Sequence, residues 1–250
     1  MDILQLCLLG LVQGVCEFLP ISSSGHLVLL SNLFGIDDSL FVSIVLHVAT
    51  LLAVVVIFRK DIINIIRHPL CEQSINISIA TIPTCIIVLL LMPLVNISFG
   101  GSYLAVSFFI SAGLLYITQK LPTRQTSFTK KNALIMGIFQ GLAVFPGISR
   151  SGTTICGGLL SNADKRECAK FSFLMSIPII ILSLLMEIYE ISVNGQTISI
   201  NTFGLILAFL IAFAVGMLSI KLMLNLTEKA NFKYFAIYLV ILGVLTIFLI

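Results

Sequence analysis

The sequence is poor in charged residues, and this scarcity excludes most classes of soluble protein. Only 10% of the 250 residues are Asp, Glu, Lys or Arg, whereas soluble domains average about 25%. Hydrophobic residues make up 58% of the chain, and the mean hydropathy is +1.14. The apolar runs have the length of a membrane-spanning helix, about 20 residues, and lack the alternation of strands. The composition therefore predicts an all-α integral membrane protein.

The sequence also lacks cysteine pairs, basic clusters and a cleavable leader. The 6 cysteines form no CxxC motif and no Cys/His spacing, so neither disulfides nor a zinc site are expected. No stretch combines a basic patch with stacking aromatics, which argues against a nucleic-acid partner. Residues 1–3 carry no positive side chain of the kind that opens a signal peptide, so we expect the first segment to be retained.

A polar segment is present within this apolar chain, and it occurs twice. Eight of the seventeen positions in 10–26 are identical to the positions 127 residues later, in 137–153. The copies differ where they carry charge, because Glu17 and His26 occur only in the first and Arg150 only in the second. An internal repeat with divided chemistry is typical of one site built from two halves.

Six apolar segments are long enough to span a membrane, and Arg59-Lys60-Asp61 is expected to end the first of them. The expected spans are residues 41–58, 75–95, 102–118, 171–189, 202–223 and 233–250.

The polar segments lie in helices that are too short to span. A helix of about ten residues reaches only ~15 Å, half of a ~30 Å hydrocarbon core. We therefore predict two re-entrant hairpins, one joining helices 2–19 and 25–34, the other joining helices 132–145 and 152–160. Three spans separate the hairpins, so the chain is expected to be a single membrane domain made of an inverted-topology repeat. The two repeats cover about 1–127 and 128–250.

Basic residues are distributed on one side of this predicted topology. Of the 14 Lys and Arg residues, 13 fall in loops of one face, whereas the loops of the other face contain Asp37, Asp38 and Glu190. By the positive-inside rule the basic face is cytoplasmic, so both termini of this multi-pass plasma-membrane protein are expected outside. The first hairpin then enters from outside and the second from the cytoplasm, and their tips meet near the midplane.

The hairpin tips carry groups that bind anions. Each short helix begins at a tip, so that backbone N–H groups and positive dipole ends point to one place, where phosphate is the expected occupant. Arg150 is expected to hold phosphate oxygens, and Glu17 to bind a divalent cation or act as a base. The alternative is an ion pair that only joins the repeats. The expected phosphate-binding residues are Ser22, Ser24, Gly25, Ser149, Ser151, Gly152 and Thr153, although some of the serines are expected only to cap helices.

Four further side chains are candidates near the site. His26 is interpreted as an acid/base or phosphate-binding group, with a structural histidine as the alternative. Gln13 and Gln140 occupy equivalent positions of the repeat. We expect them to form hydrogen bonds to the backbone of the tips or to contact the residues that bind the ligand. His47 lies on the first span, where it is a candidate to face the same cavity.

Residues 13–26 and 145–154 together resemble the undecaprenyl-diphosphate phosphatase family, also called bacitracin-resistance proteins, over nearly the whole chain. The resemblance implies an enzyme that removes the terminal phosphate of undecaprenyl diphosphate and so recycles the carrier lipid of cell-wall synthesis. The implied site residues are Glu17, Ser23, His26 and Arg150. Some family members have a second glutamate where this chain has Gln13.

Several expectations about the reaction follow from the resemblance and the residues together. A divalent cation, Mg²⁺ or Ca²⁺, would bridge the diphosphate to Glu17, and the nucleophile would be Ser23, His26 or water. The partners would be the polyprenyl diphosphate lipid and the membrane, and a homodimer is left open. The competing interpretation is a polyprenyl-phosphate flippase that uses the same phosphate site, since broken helices at the midplane are also a transporter architecture.

Overall fold

The computed structural model describes residues 1–35, 39–98, 103–120, 127–194, 201–229 and 232–249, and within them all regular structure is helical. Asp37 and Asp38 lie outside these residues, as does the side chain of Glu190. The predicted assignment of the two membrane faces depends partly on these three residues. The helices are α1 (Ile3–Cys16), α2 (Ser23–Phe34), α3 (Ser39–Ile57), α4 (Arg59–Arg67), α5 (Glu72–Ser98), α6 (Leu104–Lys120), α7 (Lys130–Leu142), α8 (Arg150–Leu160), α9 (Lys165–Asn194), α10 (Thr202–Lys229) and α11 (Lys233–Leu249).

Each of the six predicted spans contains a helix, but not all are long enough to be identified as spans by length and composition. Among the described residues three helices meet that test: Glu72–Val95, Lys165–Val193 and Thr202–Thr227. A fourth span results if α3 and α4 are taken together, while α6 and α11 are apolar but shorter. The described residues therefore form an all-helical architecture in which three to four helices are candidates to cross a membrane.

Helix α4 was not predicted. The sequence suggested that the charged residues Arg59-Lys60-Asp61 end a span in a loop, but they begin a new helix that is bent 79° from α3. Its isoleucines alternate with polar residues at helical spacing, which favours an amphipathic helix across the end of the bundle. An ion pair of 2.6 Å between Lys170 and Asp61 joins α4 to α9.

The two polar segments each form a long helix, a turn and a short helix. The long helices end three residues earlier than predicted, at Cys16 and Leu142, and the short helices begin two residues earlier, at Ser23 and Arg150. With 12 and 11 residues, the short helices reach only about 16–18 Å and cannot cross a bilayer.

The helices of the two halves pack reciprocally. Helix α1 lies along α10, and α7 lies along α5. A Cβ atom at Gly10 would overlap the backbone of Ala208, and one at Gly137 would overlap the backbone of Ala80. Because Gly10 and Gly137 are equivalent positions of the repeated segment, each half presents the same small-residue contact to the other half.

The turns of the two polar segments also contact each other reciprocally. A Cβ atom at Gly25 would lie 2.8 Å from the Cα of Gly147, and one at Gly152 would lie 3.1 Å from the Cβ of Pro20. The turns are embedded in the main hydrophobic core, where Phe18 is fully buried. The fold thus brings the two hairpin tips together inside the protein.

Replacement of Gly137 by alanine should lower the thermal unfolding midpoint in detergent. The added methyl group would overlap the Ala80 backbone, and overpacking of this kind costs about 1–3 kcal/mol. The matched control is Gly113→Ala on α6, because a Cβ there has nothing within 4 Å and alanine is the better helix former by about 1 kcal/mol. Equal midpoints for the two variants would contradict the close α5–α7 contact.

Candidate active site

The carboxylate of Glu17 is the centre of the site. Its side chain is only 4% exposed, and Oε1 forms an ion pair with Arg150 Nη2. Its other oxygen, Oε2, accepts hydrogen bonds from the Ser23 hydroxyl at 2.6 Å and from Gln13 Nε2 at 3.1 Å. His47 Nε2 lies 3.8 Å from the same oxygen. The structure therefore brings together residues from α1, α2, α3 and α8 around one buried negative charge.

The local sequence explains how three of these groups meet. Gln13 and Glu17 are four residues apart at the end of α1, so their side chains lie on one face of the helix. The chain then reverses at Ser22, whose φ of 68° is the left-handed conformation. This turn places Ser23, the first residue of α2, beside the carboxylate that precedes it by six residues.

Arg150 is the first residue of α8, where a cation lies at the positive end of the helix dipole. This is the unfavourable end for a positive charge, and the ion pair with Glu17 places a negative charge beside it. Among the residues that the structure describes, the buried Nη1 atom of Arg150 has no hydrogen-bond partner, and neither has the hydroxyl of Thr153, one turn along α8. Two unsatisfied groups on one helix turn indicate a place for an acceptor such as a phosphate oxygen.

The serines that precede the two short helices act as caps. The hydroxyl of Ser22 accepts from the backbone N–H of Gly25, and that of Ser149 accepts from Gly152, both at 3.2 Å. These hydroxyls are therefore already engaged in holding the helix starts in place. The two glycines serve the close approach of the tips described above.

The remaining predicted tip residues differ in how far they are engaged. Ser151 donates to the backbone oxygen of Leu19 at 3.1 Å, which ties the second tip to the first. The hydroxyl of Ser24 lies 3.5 Å from that of Ser22. Of the seven residues predicted to bind phosphate, Thr153 is the one whose hydroxyl is buried and unpaired in the described part of the chain.

His26 is near the tip but does not contact Glu17. Its Nδ1 lies 2.6 Å from the backbone oxygen of Ser22, and its Nε2 lies 2.6 Å from the hydroxyl of Tyr238 on α11. The ring also contacts Phe108 of α6, with the centroids 6.0 Å apart. Both imidazole nitrogens are thus directed to groups other than the carboxylate.

The glutamines occupy parallel places in the two halves. Gln13 Nε2 also lies 3.4 Å from Thr50 Oγ1, and Gln140 Nε2 lies 3.4 Å from Thr84 Oγ1. Gln140 therefore bonds to a neighbouring helix, whereas the sequence suggested tip backbone or ligand. His47, placed near the cavity by the sequence, is held by a 2.8 Å contact between Nδ1 and the Ser43 backbone oxygen.

Three polar residues of the site were missed by sequence reasoning. Thr50 follows His47 by three residues, so both side chains lie on one face of α3. This spacing could have predicted that Thr50 faces the site together with His47. Ser111 accepts from the N–H of Ser149 at 2.9 Å and donates to the Gly147 oxygen at 3.2 Å, which fixes the second tip. Neither Ser111 nor Tyr238 stands out in the sequence, because each lies in an apolar helix outside the repeated segments.

Comparison with known proteins identifies the family. The profile of the bacitracin resistance protein BacA matches residues 6–245. The chain belongs to this family. A relative from Methanosphaera stadtmanae named undecaprenyl-diphosphatase is 38% identical over 275 residues, covering 100% of this chain and 98% of its own length. One of the same name from Bacteroides fragilis is 40% identical over 261 residues, covering 99% and 98%. Undecaprenyl-diphosphatase 3 of Bacillus cereus is 36% identical over 254 residues, covering 100% and 98%.

Membership of the BacA family confirms the resemblance deduced from the sequence. The match extends over both repeated segments, so it includes Glu17, Ser23 and Arg150. The motifs that carried the resemblance are the same segments that the fold brings into contact.

Replacement of Arg150 by lysine tests whether Arg150 only forms an ion pair with Glu17 or also binds an anion. Lysine keeps the charge that pairs with Glu17 but lacks the second nitrogen, Nη1, which is unpaired in the described structure. We expect the variant to fold, and inorganic pyrophosphate to raise its unfolding midpoint far less than that of the wild type. Arg67→Lys on α4 is the matched control. Equal stabilisation of all three proteins by pyrophosphate would contradict an anion site at Arg150.

Proposed function

We propose that this chain hydrolyses the terminal phosphate of undecaprenyl diphosphate, giving undecaprenyl phosphate and inorganic phosphate. The observation that carries the proposal is the 2.6 Å hydrogen bond from the Ser23 hydroxyl to Glu17, beside Arg150, whose Nη1 has no partner in the described part of the chain. The names of the relatives supply the substrate. The activity recycles the carrier lipid for cell-wall synthesis and confers resistance to bacitracin.

Ser23 is the nucleophile in this proposal. Its Oγ attacks the terminal phosphorus while Glu17 accepts its proton, since a hydroxyl needs an adjacent base to become reactive. The bond from phosphorus to the bridging oxygen breaks, and undecaprenyl phosphate leaves with the proton that Glu17 had accepted, so the carboxylate is ionised again. A water molecule then attacks the phosphorus of the phosphoserine while Glu17 accepts its proton. The bond from phosphorus to Oγ breaks, inorganic phosphate is released, and Glu17 returns the proton to the Ser23 oxygen. The direct hydrogen bond to the base favours Ser23 over water or His26 as the attacking group.

Arg150 and the starts of α2 and α8 bind the phosphate groups. Phosphoryl transfer depends mainly on positioning and on positive charge around the equatorial oxygens. The free Nη1 of Arg150 and the Thr153 hydroxyl are donors for those oxygens, and the helix dipoles add positive potential in the same place. The prenyl tail then extends between helices towards the lipid, which suits an enzyme with so apolar a surface.

A divalent cation, Mg²⁺ or Ca²⁺, is the proposed cofactor, with Glu17 as its protein ligand. No group of three or more His, Cys, Asp or Glu side chains exists in the described ranges to form a protein cage. Mg²⁺ often takes only one or two carboxylates and completes its shell with water and substrate phosphates. A single carboxylate beside a phosphate site fits that pattern. When bound, the cation would supply charge neutralisation for the diphosphate.

We also propose that the chain has six spans and two re-entrant hairpins in an inverted repeat. The reciprocal contacts of α1 with α10 and of α7 with α5 support such a repeat. Helices α6 and α11 have 17 residues each, which is at the lower limit of a span. The excess of Lys and Arg in the loops of one face supports a cytoplasmic location of that face and external termini.

The flippase interpretation is not supported. The relatives named above are diphosphatases. A carrier would need the phosphate-binding groups but no hydroxyl hydrogen-bonded to a buried base. The contact between Ser23 and Glu17 therefore favours hydrolysis.

The central test is phosphate release from undecaprenyl diphosphate by the purified protein in detergent. We expect Glu17→Gln to lower kcat about 10²–10⁴-fold, because a general base is lost, and Ser23→Ala to lower it at least as much. Ser31→Ala on the same short helix is the matched control and should retain activity. A parallel series with chelator, followed by added Mg²⁺ or Ca²⁺, tests the cation.

The outcomes separate the alternatives for the nucleophile. Retention of activity by Ser23→Ala would exclude the serine and indicate water or His26. If the wild type binds the lipid but releases no phosphate under any cation condition, hydrolysis is excluded for this protein.

The proposed sides of the membrane predict which inserted tags are accessible. An epitope tag placed before Met1 should be removed by protease in intact cells, because the N-terminus is proposed to be outside. A tag inserted after Leu70, which is exposed between α4 and α5, should be cleaved only after the membrane is permeabilised. The reverse pattern would overturn the orientation without affecting the fold.

A further inference from the structure

The hydrogen bonds of His26 define its protonation. The backbone oxygen of Ser22 can only accept, so Nδ1, which lies 2.6 Å from it, carries a proton. In the neutral ring Nε2 is then an acceptor, and the Tyr238 hydroxyl at 2.6 Å donates to it. The chain of bonds therefore runs from Tyr238 through the imidazole to the Ser22 carbonyl.

This chain ends at the most constrained point of the first hairpin tip. Ser22 has the left-handed φ of 68°, a conformation that costs energy in a residue with a side chain. Its carbonyl is held by His26, and its hydroxyl caps α2 by accepting from Gly25. The next residue is Ser23, so whatever fixes Ser22 also fixes the direction of the proposed nucleophile.

The same bonds limit what His26 can do itself. Its Nδ1 proton is used on Ser22, and the lone pair of Nε2 is used on Tyr238. Its nearest aromatic neighbours hold the ring in place: Tyr238 lies parallel to it at 5.7 Å between centroids, and Phe108 meets its edge. An imidazole with both nitrogens engaged orients its neighbours and is poorly available as a base.

We propose that Tyr238 is a positioning residue for the proposed phosphatase reaction, acting through His26 on Ser22 and hence on Ser23. The hydroxyl fixes one tautomer of His26, and that tautomer donates to the Ser22 carbonyl. The tip is thereby held so that the Ser23 hydroxyl lies against Glu17. Helix α11 thus contributes to a site whose reacting groups lie on α1, α2 and α8. This inference rests on the proposed function.

The test is Tyr238→Phe, which keeps the stacked ring and removes only the donor. We expect kcat to fall about tenfold with KM within a factor of two, as the loss of one buried hydrogen bond would give. The matched control is Tyr234→Phe, one turn earlier on α11, where the tyrosine is 74% exposed. Spectra of the protein labelled with ¹⁵N-histidine, assigned with His26→Gln, should show a shifted Nε2 resonance in Tyr238→Phe and an unchanged one in Tyr234→Phe.

A double-mutant cycle tests whether the hydroxyl acts through the imidazole. In a His26→Ala background, Tyr238→Phe should cause no further loss of kcat. A further tenfold loss of kcat in that background would show that the Tyr238 hydroxyl acts directly. A wild-type kcat in Tyr238→Phe alone would show that the hydroxyl is not needed. Either result overturns the inference.

If the wild-type protein releases no phosphate, the proposed function fails, and the ¹⁵N resonance of His26 alone tests the hydrogen bond. A shift in Tyr238→Phe supports the positioning bond, and no shift overturns it.

Discussion

The ion pair between Glu17 and Arg150 is the interaction on which the rest of the structure depends. Both side chains are largely shielded from solvent, and removing one partner of a buried pair usually costs about 3–5 kcal/mol. The two charges belong to different halves of the chain. They can neutralise each other only when both hairpin tips are in contact. The site is therefore also the contact that holds the two halves of the chain together.

The contact between the two tips requires small residues at defined positions. The tips approach so closely that Gly25 and Gly152 each face backbone or side-chain atoms of the opposite tip where a side chain would be. Helices α1 and α7 likewise depend on Gly10 and Gly137 to reach their partners. The glycines therefore allow the two tips to approach closely enough for their polar groups to meet. The hydrogen bonds of Ser22, Ser149 and Ser151 then fix the tips relative to each other.

Sequence reasoning predicted the residues that interrupt an apolar chain and missed those that are ordinary within it. Glu17, Ser23 and Arg150 were visible because charges and hydroxyl clusters are expensive in lipid and because the segment that contains them occurs twice. Tyr238 and Ser111 were not, since their roles arise from packing between helices far apart in sequence. Helix α4 was missed because a short amphipathic helix has the composition of a charged loop, and helix ends shifted by two or three residues because caps decide them.

The crossed packing of the halves bears on how the protein is made. Helix α1 is synthesised before the helix that covers its glycine face, because that helix, α10, contains Ala208. Until α10 has been inserted, the glycine face of α1 lacks its partner, whereas the tip of the first hairpin contacts the second tip, which is made earlier. Assembly is thus governed by contacts of very long sequence separation, which form slowly. A ribosome-bound fragment that ends before Arg150 holds Glu17 without its ion-pair partner, so the site forms only after the second polar segment has been made.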